Sequence, residues 1–307
     1  MIRKLQYEIG QDFDKKQVQV FLRAHGFSSR MIKDLKKNPH GILIGNKKCT
    51  ALKLLKKGDR LTVYIKETNS NETIVPFDFP LDIVYEDKDV AVVNKPPFMA
   101  THPSQNNRND SLANALRFHF DKNGQDCAIR PVNRLDKNTS GLILVAKNAH
   151  ASGVLSNDLK AGRIQRTYLA FVEGAPECDS ATITAPIARQ SGSTIKRQVD
   201  FEKGERAITH LTVLKRGEFS LLHLKLDTGK THQIRVHMSH IGHAVCGDFL
   251  YGTEFSGGIN RHALHSYTLT FIHPITNEQM FFKADLPEDM KKIYSTQWGT
   301  DEKTISI

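Results

Sequence analysis

The chain has 307 residues, 39% hydrophobic and 25% charged, and a formal charge of +10. That composition belongs to a folded globular protein with room for one large or two smaller domains, and excludes a disordered or fibrous chain. No apolar run could span a bilayer, no signal-peptide core opens the sequence, and Cys49, Cys127, Cys178 and Cys246 form no CxxC pair, so a cytoplasmic protein with reduced thiols is expected.

The charge is concentrated where the chain begins. Residues 1–75 hold 16 Lys and Arg against 7 Asp and Glu, the remainder 27 against 26. A local basic surface of that size favours a polyanion; a solvated face serving solubility is the alternative. Residues 1–12 read as an extended lead-in. Lys15–Ala24 carries Val18, Val20, Phe21 and Leu22, a partly amphipathic helix ending near Gly26. Ser28 and Ser29 can cap a second helix, Arg30–Lys37, whose Arg30, Lys33, Lys36 and Lys37 make a positive surface. A basic hairpin follows Gly41–Gly45, and a Gly58-Asp59 turn precedes the strand Leu61–Ile65.

Two basic helices followed by short strands with a Gly-Asp turn resemble the S-four-like RNA-binding domain, named for a small-subunit ribosomal protein. Ser28, Ser29, Arg30 and Gly58-Asp59 carry the fit, while the usual Gly-x-Val-x-Val-Asn-Gly hairpin reads Gly41-Ile-Leu-Ile-Gly-Asn46. The resemblance implies RNA contacts at Arg30, Lys33 and Lys37; a basic appendage without a specific RNA site is the alternative. Residues 67–80 show little periodicity and read as a linker.

Leu81–Asn94 is expected to be a hairpin, closed by Asn94-Lys95-Pro96, and Leu112–Phe120 a helix. Arg130–Lys147 then joins a polar turn to the apolar run Leu142–Ala146, so Asp136 sits on a loop anchored by a core strand. Arg130, Arg134 and Lys137 flank it. Cations favour the charged carboxylate, which can act as nucleophile or base; an Asp capping its own turn is the alternative. Asn148 can cap a helix through Leu159, and Arg163–Val172 reads as a strand. Lys196 and Arg197 lie in an exposed basic loop. Ser220–Leu226 is another strand.

After that strand, Gly229-Lys230-Thr231 lacks the upstream glycine of a phosphate loop, since Leu224 stands there. His232, His237, His240 and His243 suggest metal, but no HExxH pattern accompanies them. Thr231 is expected to cap a helix ending before Gly242, with Arg235 in its first turns able to reach a carboxylate and fix its rotamer. Phe281–Leu286 reads as the last strand, Pro287 as the start of a short helix, and the chain after Trp298 as a frayed tail.

Arg134-Leu-Asp136 followed by Thr139-Ser-Gly141 and an apolar strand resembles the central motif of the RluA-type pseudouridine synthases, which usually carry His where Asn133 stands. Asn94-Lys-Pro96 with His102-Pro103, the strand Arg166-Thr-Tyr168-Leu-Ala170, Thr228-Gly-Lys-Thr-His-Gln-Ile-Arg-Val-His237 and Gly247-Asp-Phe-Leu-Tyr-Gly252 follow in the family's order. The resemblance covers about Leu81 to Leu286. It implies an α+β pseudouridine synthase fold: a central, mostly antiparallel mixed sheet with flanking helices, plus the small basic N-terminal module. The implied organisation is 1–66 RNA-binding module, 67–80 linker, 81–298 catalytic domain and 299–307 tail.

The implied reaction isomerises uridine in RNA, breaking and remaking the ribose–base bond without redox change, so no cofactor or metal is expected. The resemblance makes Asp136 the catalytic acid residue, acting as nucleophile or proton acceptor, Arg235 its ion-pair partner, and Tyr168 the ring that stacks on the target base. Arg134 is placed to enter the gap left by a flipped nucleotide, and Arg130 and Lys230 to bind RNA. Structured ribosomal RNA is favoured over tRNA, the protein is expected to be a monomer, and no membrane partner is implied. A catalytically inactive RNA-binding or ribosome-assembly factor with the same fold, a tRNA-directed synthase and a metal hydrolase remain as alternatives.

Overall fold

A computed structural model describes residues 2–66, 73–104, 108–253 and 258–299. The basic N-terminal segment folds as β1 (Ile2–Glu8), a short 3-10 turn, α1 (Val18–Ala24), α2 (Ser29–Lys37), β2 (Ile42–Ile44), β3 (Lys47–Lys48) and β4 (Arg60–Lys66). The expected lead-in is a full strand, since β1 pairs antiparallel with β4 along its length in a sheet ordered β1-β4-β2-β3. Ser28 caps α2 by accepting the Met31 N–H at 3.2 Å. Ile32 and Leu35, three apart, turn inward while Lys33, Lys36 and Lys37 stay outside. This segment has a hydrophobic core of its own, including Leu5, Phe21, Leu22, Leu55, Leu61 and Val63.

The larger unit continues as β5 (Asp82–Glu86), β6 (Val90–Lys95), α3 (Leu112–Lys122), β7 (Arg130–Pro131), β8 (Ser140–Ala146), α4 (Ala149–Lys160), β9 (Gln165–Glu173) and β10 (Ser180–Thr184). It then adds β11 (Ile187–Arg189), β12 (Arg197–Val199), β13 (Ile208–Lys215), β14 (Phe219–Leu226), α5 (Gln233–His240), β15 (Leu264–Ile272), β16 (Gln279–Lys283) and α6 (Glu288–Trp298). Ten strands form one sheet in the order β10-β13-β14-β9-β15-β8-β6-β5, with β16 added beside β15 and β7 beside β8. Its pairings are antiparallel except between β8 and β15, which run parallel through His265–Ser140 and Ser266–Gly141 alone. β11 and β12 make a separate hairpin.

Both faces of the sheet centre are covered, which is why β6 and β8 read as unbroken apolar runs. Ala91, Val93, Ile143 and Val145 face a core shared with α3, α5 and α6. Val90, Val92, Leu142 and Leu144 face a second core containing Ala151 and Leu155 of α4. Gly141 lies where the two parallel strands meet: its φ is +106°, and a Cβ there would stand 2.2 Å from the Ser266 carbonyl oxygen. Only glycine satisfies both conditions.

The two units touch through named contacts. Arg3 of β1 pairs with the buried Asp89 before β6, and Asn148 donates to the same carboxylate at 2.8 Å. Phe27 packs on His150 with ring centroids 4.4 Å apart. Gly26 faces Gly153 of α4 so closely that a Cβ on Gly153 would come within 2.6 Å of the Gly26 carbonyl oxygen.

Two expectations change here. Residues 67–72 of the expected linker lie outside the described residues, but Ile74, Phe77 and Phe79 pack on the large core, and Phe77 N–H donates to Asn114 O at 3.1 Å. Spaced apolar residues hold the second half of that segment along α3. Thr231 does not cap α5; His232 occupies the cap in a left-handed conformation, with φ 60° and ψ 16°. The frayed tail expected beyond Trp298 falls, from residue 300 onward, outside the described residues. Among the described residues no helix is long and apolar enough to cross a membrane.

Candidate active site

The turn Arg134–Thr139 is held from below at several points, so that Asp136 stands on a fixed platform. Thr101 pins it at Leu135, its hydroxyl donating to the Leu135 carbonyl at 3.0 Å. The fully buried Lys95 donates through Nζ to the carbonyls of Lys137 (3.2 Å), Met99 (2.8 Å) and Pro96 (2.8 Å). Three acceptors match the three N–H groups of an ammonium, although burial, aided by Arg261, pulls this amine down to about 7. Arg261, equally buried, donates to the Asn138 carbonyl at 3.0 Å and forks onto Asp289 of α6 at 2.6 and 2.9 Å. Thr139 and Ser140 hydrogen-bond His262 Nε2 and His265 Nδ1 at 2.8 and 2.9 Å. Asn133 Oδ1 accepts from Leu144 N–H at 2.9 Å, tying the turn to β8. The residue that departs from the family pattern is thus used in the scaffold.

Arg235 of α5 reaches Asp136 from 99 residues downstream, Nη1 to Oδ2 at 3.1 Å. Its main grip is elsewhere. Nε and Nη2 fork onto the buried Asp248 at 2.6 and 2.7 Å. Burial works against the guanidinium charge, but Asp248 and then Asp136 outweigh it and hold the group protonated more firmly than usual. Because Asp248 takes the two-pronged contact, Asp136 receives a single bond and is oriented without being neutralised by a full ion pair. Sequence reasoning missed Asp248, although the Gly247–Gly252 motif that holds it was visible.

Arg134, Asp136, Tyr168, Lys230 and Arg235 line one cavity of about 60 Å³, together with His232 and Thr139. Tyr168 is buried in the middle of the sheet, paired across to Leu224 of β14 and Ser266 of β15. Lys230 pairs with Glu205 at the rim, and Arg134 is exposed at the mouth. The cavity opens to the surface, with the exposed Arg134 among its lining residues.

Arg130 is not beside Asp136, where its six-residue spacing suggested. It lines a groove of about 880 Å³ between the two units, with Arg30, Lys37 and Lys66 on the opposite wall and Asp34 among them. Lys33 is exposed on the same helix but outside the groove lining. The histidines of the 232–243 segment are dispersed: His237 contacts Thr209 and the Ala185 carbonyl, both at 2.9 Å, and His243 the Glu173 carbonyl at 2.9 Å. Among the described residues, the group that brings three potential metal-ligand atoms together is Asp87, Asp89 and His273, where Arg3 and Asn148 already occupy Asp89.

A carboxylate held on one oxygen, beside an aromatic ring and under exposed cations, suits attack on a bound nucleoside or removal of its proton. Comparison with known proteins gives the same direction. The family profile described as RNA pseudouridylate synthase matches residues 89–240. The chain is 42% identical over 269 residues to an uncharacterised RNA pseudouridine synthase of Bacillus subtilis (strain 168), YjbO, covering 87% of this chain and 94% of the relative. It is 40% identical over 235 residues to ribosomal large subunit pseudouridine synthase D of Zymomonas mobilis, covering 71% and 73%. The structure resembles human RNA pseudouridylate synthase domain containing 1, with 30% identity, a TM-score of 0.56 and coverage of 67% of this chain and 83% of that one.

Proposed function

Because this chain belongs to the RluA-type RNA pseudouridine synthases, and so isomerises uridine in RNA, we propose that Asp136 is the group through which it does so. The observation that carries this reading is the single bond from Arg235 Nη1 to Asp136 Oδ2, made inside a cavity that Tyr168 also lines. In this reading the target uridine is turned out of its stack, Arg134 fills the space it leaves, and Tyr168 lies against the uracil. Asp136 begins the reaction at the ribose, and Lys230 holds RNA at the rim.

The first 66 residues act as an S-four-like RNA-binding module, joined through 67–80, whose second half packs along α3, to a catalytic unit of 81–298, with 299–307 as a tail. Arg30, Lys37 and Arg130 bind RNA phosphates along the groove between the units, and Lys33 extends that positive surface. The substrate is ribosomal RNA rather than tRNA, and the enzyme acts as a monomer in the cytoplasm. A separate core in the basic N-terminal segment and the printed names of relatives such as ribosomal large subunit pseudouridine synthase D support this reading.

The test is tritium release from RNA labelled at carbon five of uridine. Asp136→Asn should lower release by about 10⁴-fold or more while RNA binding is kept. Release at the normal rate from that variant would end the assignment.

A further inference from the structure

We propose that Tyr251 and His232 form a positioning relay that fixes Asp136 from the β11–β12 hairpin, a second hold on the carboxylate beside that of Arg235. The inference rests on the reading of Asp136 given above. The sequence assigned neither residue this role; the Tyr251 ring also packs under Arg235, whose Cζ lies 5.1 Å from its centroid, a contact that Tyr251→Phe keeps.

The relay is a line of atoms. The backbone N–H of Arg197, at the start of β12, donates to Tyr251 Oη at 2.8 Å. Tyr251 Oη lies 2.8 Å from His232 Nδ1. His232 Nε2 lies 3.7 Å from Asp136 Oδ2, the oxygen that Arg235 also holds. At 3.7 Å the last contact is longer than a hydrogen bond, as active-site contacts are before substrate tightens them.

The direction of the protons follows from counting donors and acceptors. The imidazole is neutral: burial, with Arg235 and Arg197 adding to it, pulls it below its ordinary value against the opposing pull of Asp136 and Asp248. A neutral ring has one N–H and one bare nitrogen. If Nδ1 carried the proton, a lone pair on Nε2 would face the Asp136 carboxylate. The Tyr251 hydroxyl proton would also lose Nδ1, its acceptor among the described residues. If Tyr251 donates to Nδ1 instead, both problems vanish and Nε2–H points at Oδ2. The relay therefore reads Arg197 N–H to Tyr251 O–H to His232 Nδ1, with Nε2–H directed at Asp136.

The backbone is built to aim this ring. His232 has φ 60°, an uncommon conformation for a residue with a side chain. The buried Gln233 maintains it, accepting from Lys230 N–H at 3.0 Å and Thr228 Oγ1 at 2.8 Å and donating to Ile208 O at 2.9 Å. Position 232 sits at the start of α5, where the positive end of the helix dipole also disfavours an imidazolium. The far end of the relay is a basic hairpin, with Lys196 5.9 Å from the Tyr251 ring centroid. RNA seated on that hairpin would press on the same tyrosine that sets the histidine.

Nitrogen-15 NMR of the full-length protein without RNA tests the tautomer apart from catalysis. We expect a pyrrole-type signal at His232 Nε2 and a pyridine-type signal at Nδ1, with the two averaging in Tyr251→Phe. Protonated Nδ1 in the unaltered protein overturns the relay. In single-turnover assays at saturating RNA, Tyr251→Phe and His232→Ala should each slow the reaction roughly ten- to a hundredfold with KM little changed. His232→Gln, which returns an N–H near the Nε2 position, should recover part of the loss. An His232→Ala variant that reacts at full rate, or loses only RNA affinity, overturns the proposal. Normal release from Asp136→Asn defeats the reading of Asp136 instead, so the two failures are distinguishable.

Discussion

His150 and His265 show what single buried side chains cost this fold. Burial pushes both down to about 4, with His25 and Arg3 adding to the effect at His150. His265 is committed as a neutral ring, since its Nε2–H donates to the Ala284 carbonyl at 3.1 Å and its Nδ1 faces the Ser140 hydroxyl. In the unfolded chain each returns to a value near 6.5. Above that value neither form binds a proton and stability is unaffected. As pH falls from about 6.5 towards 4 the unfolded chain takes protons that the folded chain refuses, so stability drops by up to about 3 kcal/mol per group and then levels. Thermal unfolding followed from pH 7.5 to 4 should therefore weaken well before the ordinary carboxylate range is reached, and less steeply in His265→Asn. A melting temperature flat down to pH 5 would contradict this.

At the scale of elements, α4 is where the two units meet. Gly153 is a poor helix residue, and alanine there should add about 1 kcal/mol of helix propensity. The approach of the new Cβ to the Gly26 carbonyl oxygen, at 2.6 Å, reverses the sign. Gly153→Ala should lose about 1–3 kcal/mol net, as overpacked sites do, and expose the inter-unit segment to proteases. A raised melting temperature with unchanged proteolysis would mean that the units do not pack there. Elements themselves were legible because their signals are local: Ser28 and Asn148 cap helices as their types predict, and β6 and β8 are apolar on both faces. The start of α5 was not, because Tyr251 and Gln233, not Thr231, settle its conformation. The Arg235–Asp136 pair was foreseen through the family resemblance, while Asp248, Lys95 and Arg261 were not given their roles. Hydrogen bonds that cross from 13 to 123 residues leave no periodicity to read.

For the whole molecule, one RNA occupies both the groove between the units and the cavity beneath Arg134 in the reading proposed above. Four cations, Arg30, Lys37, Lys66 and Arg130, line the groove against one acid, Asp34. Reversing Arg30 and Lys37 to Glu should raise KM about five- to tenfold and leave the single-turnover rate at saturation intact. The salt dependence of binding should also flatten, by about 0.7 in log–log slope for each single-strand phosphate that is no longer neutralised. An unchanged KM and slope would place the RNA elsewhere. Finally, Arg261 braces the turn carrying Asp136 and is itself held by Asp289, on the helix that ends the described chain. Without α6 the turn would keep its bonds to Lys95, Thr101 and Asn133 but lose this cross-link to a helix far along the chain.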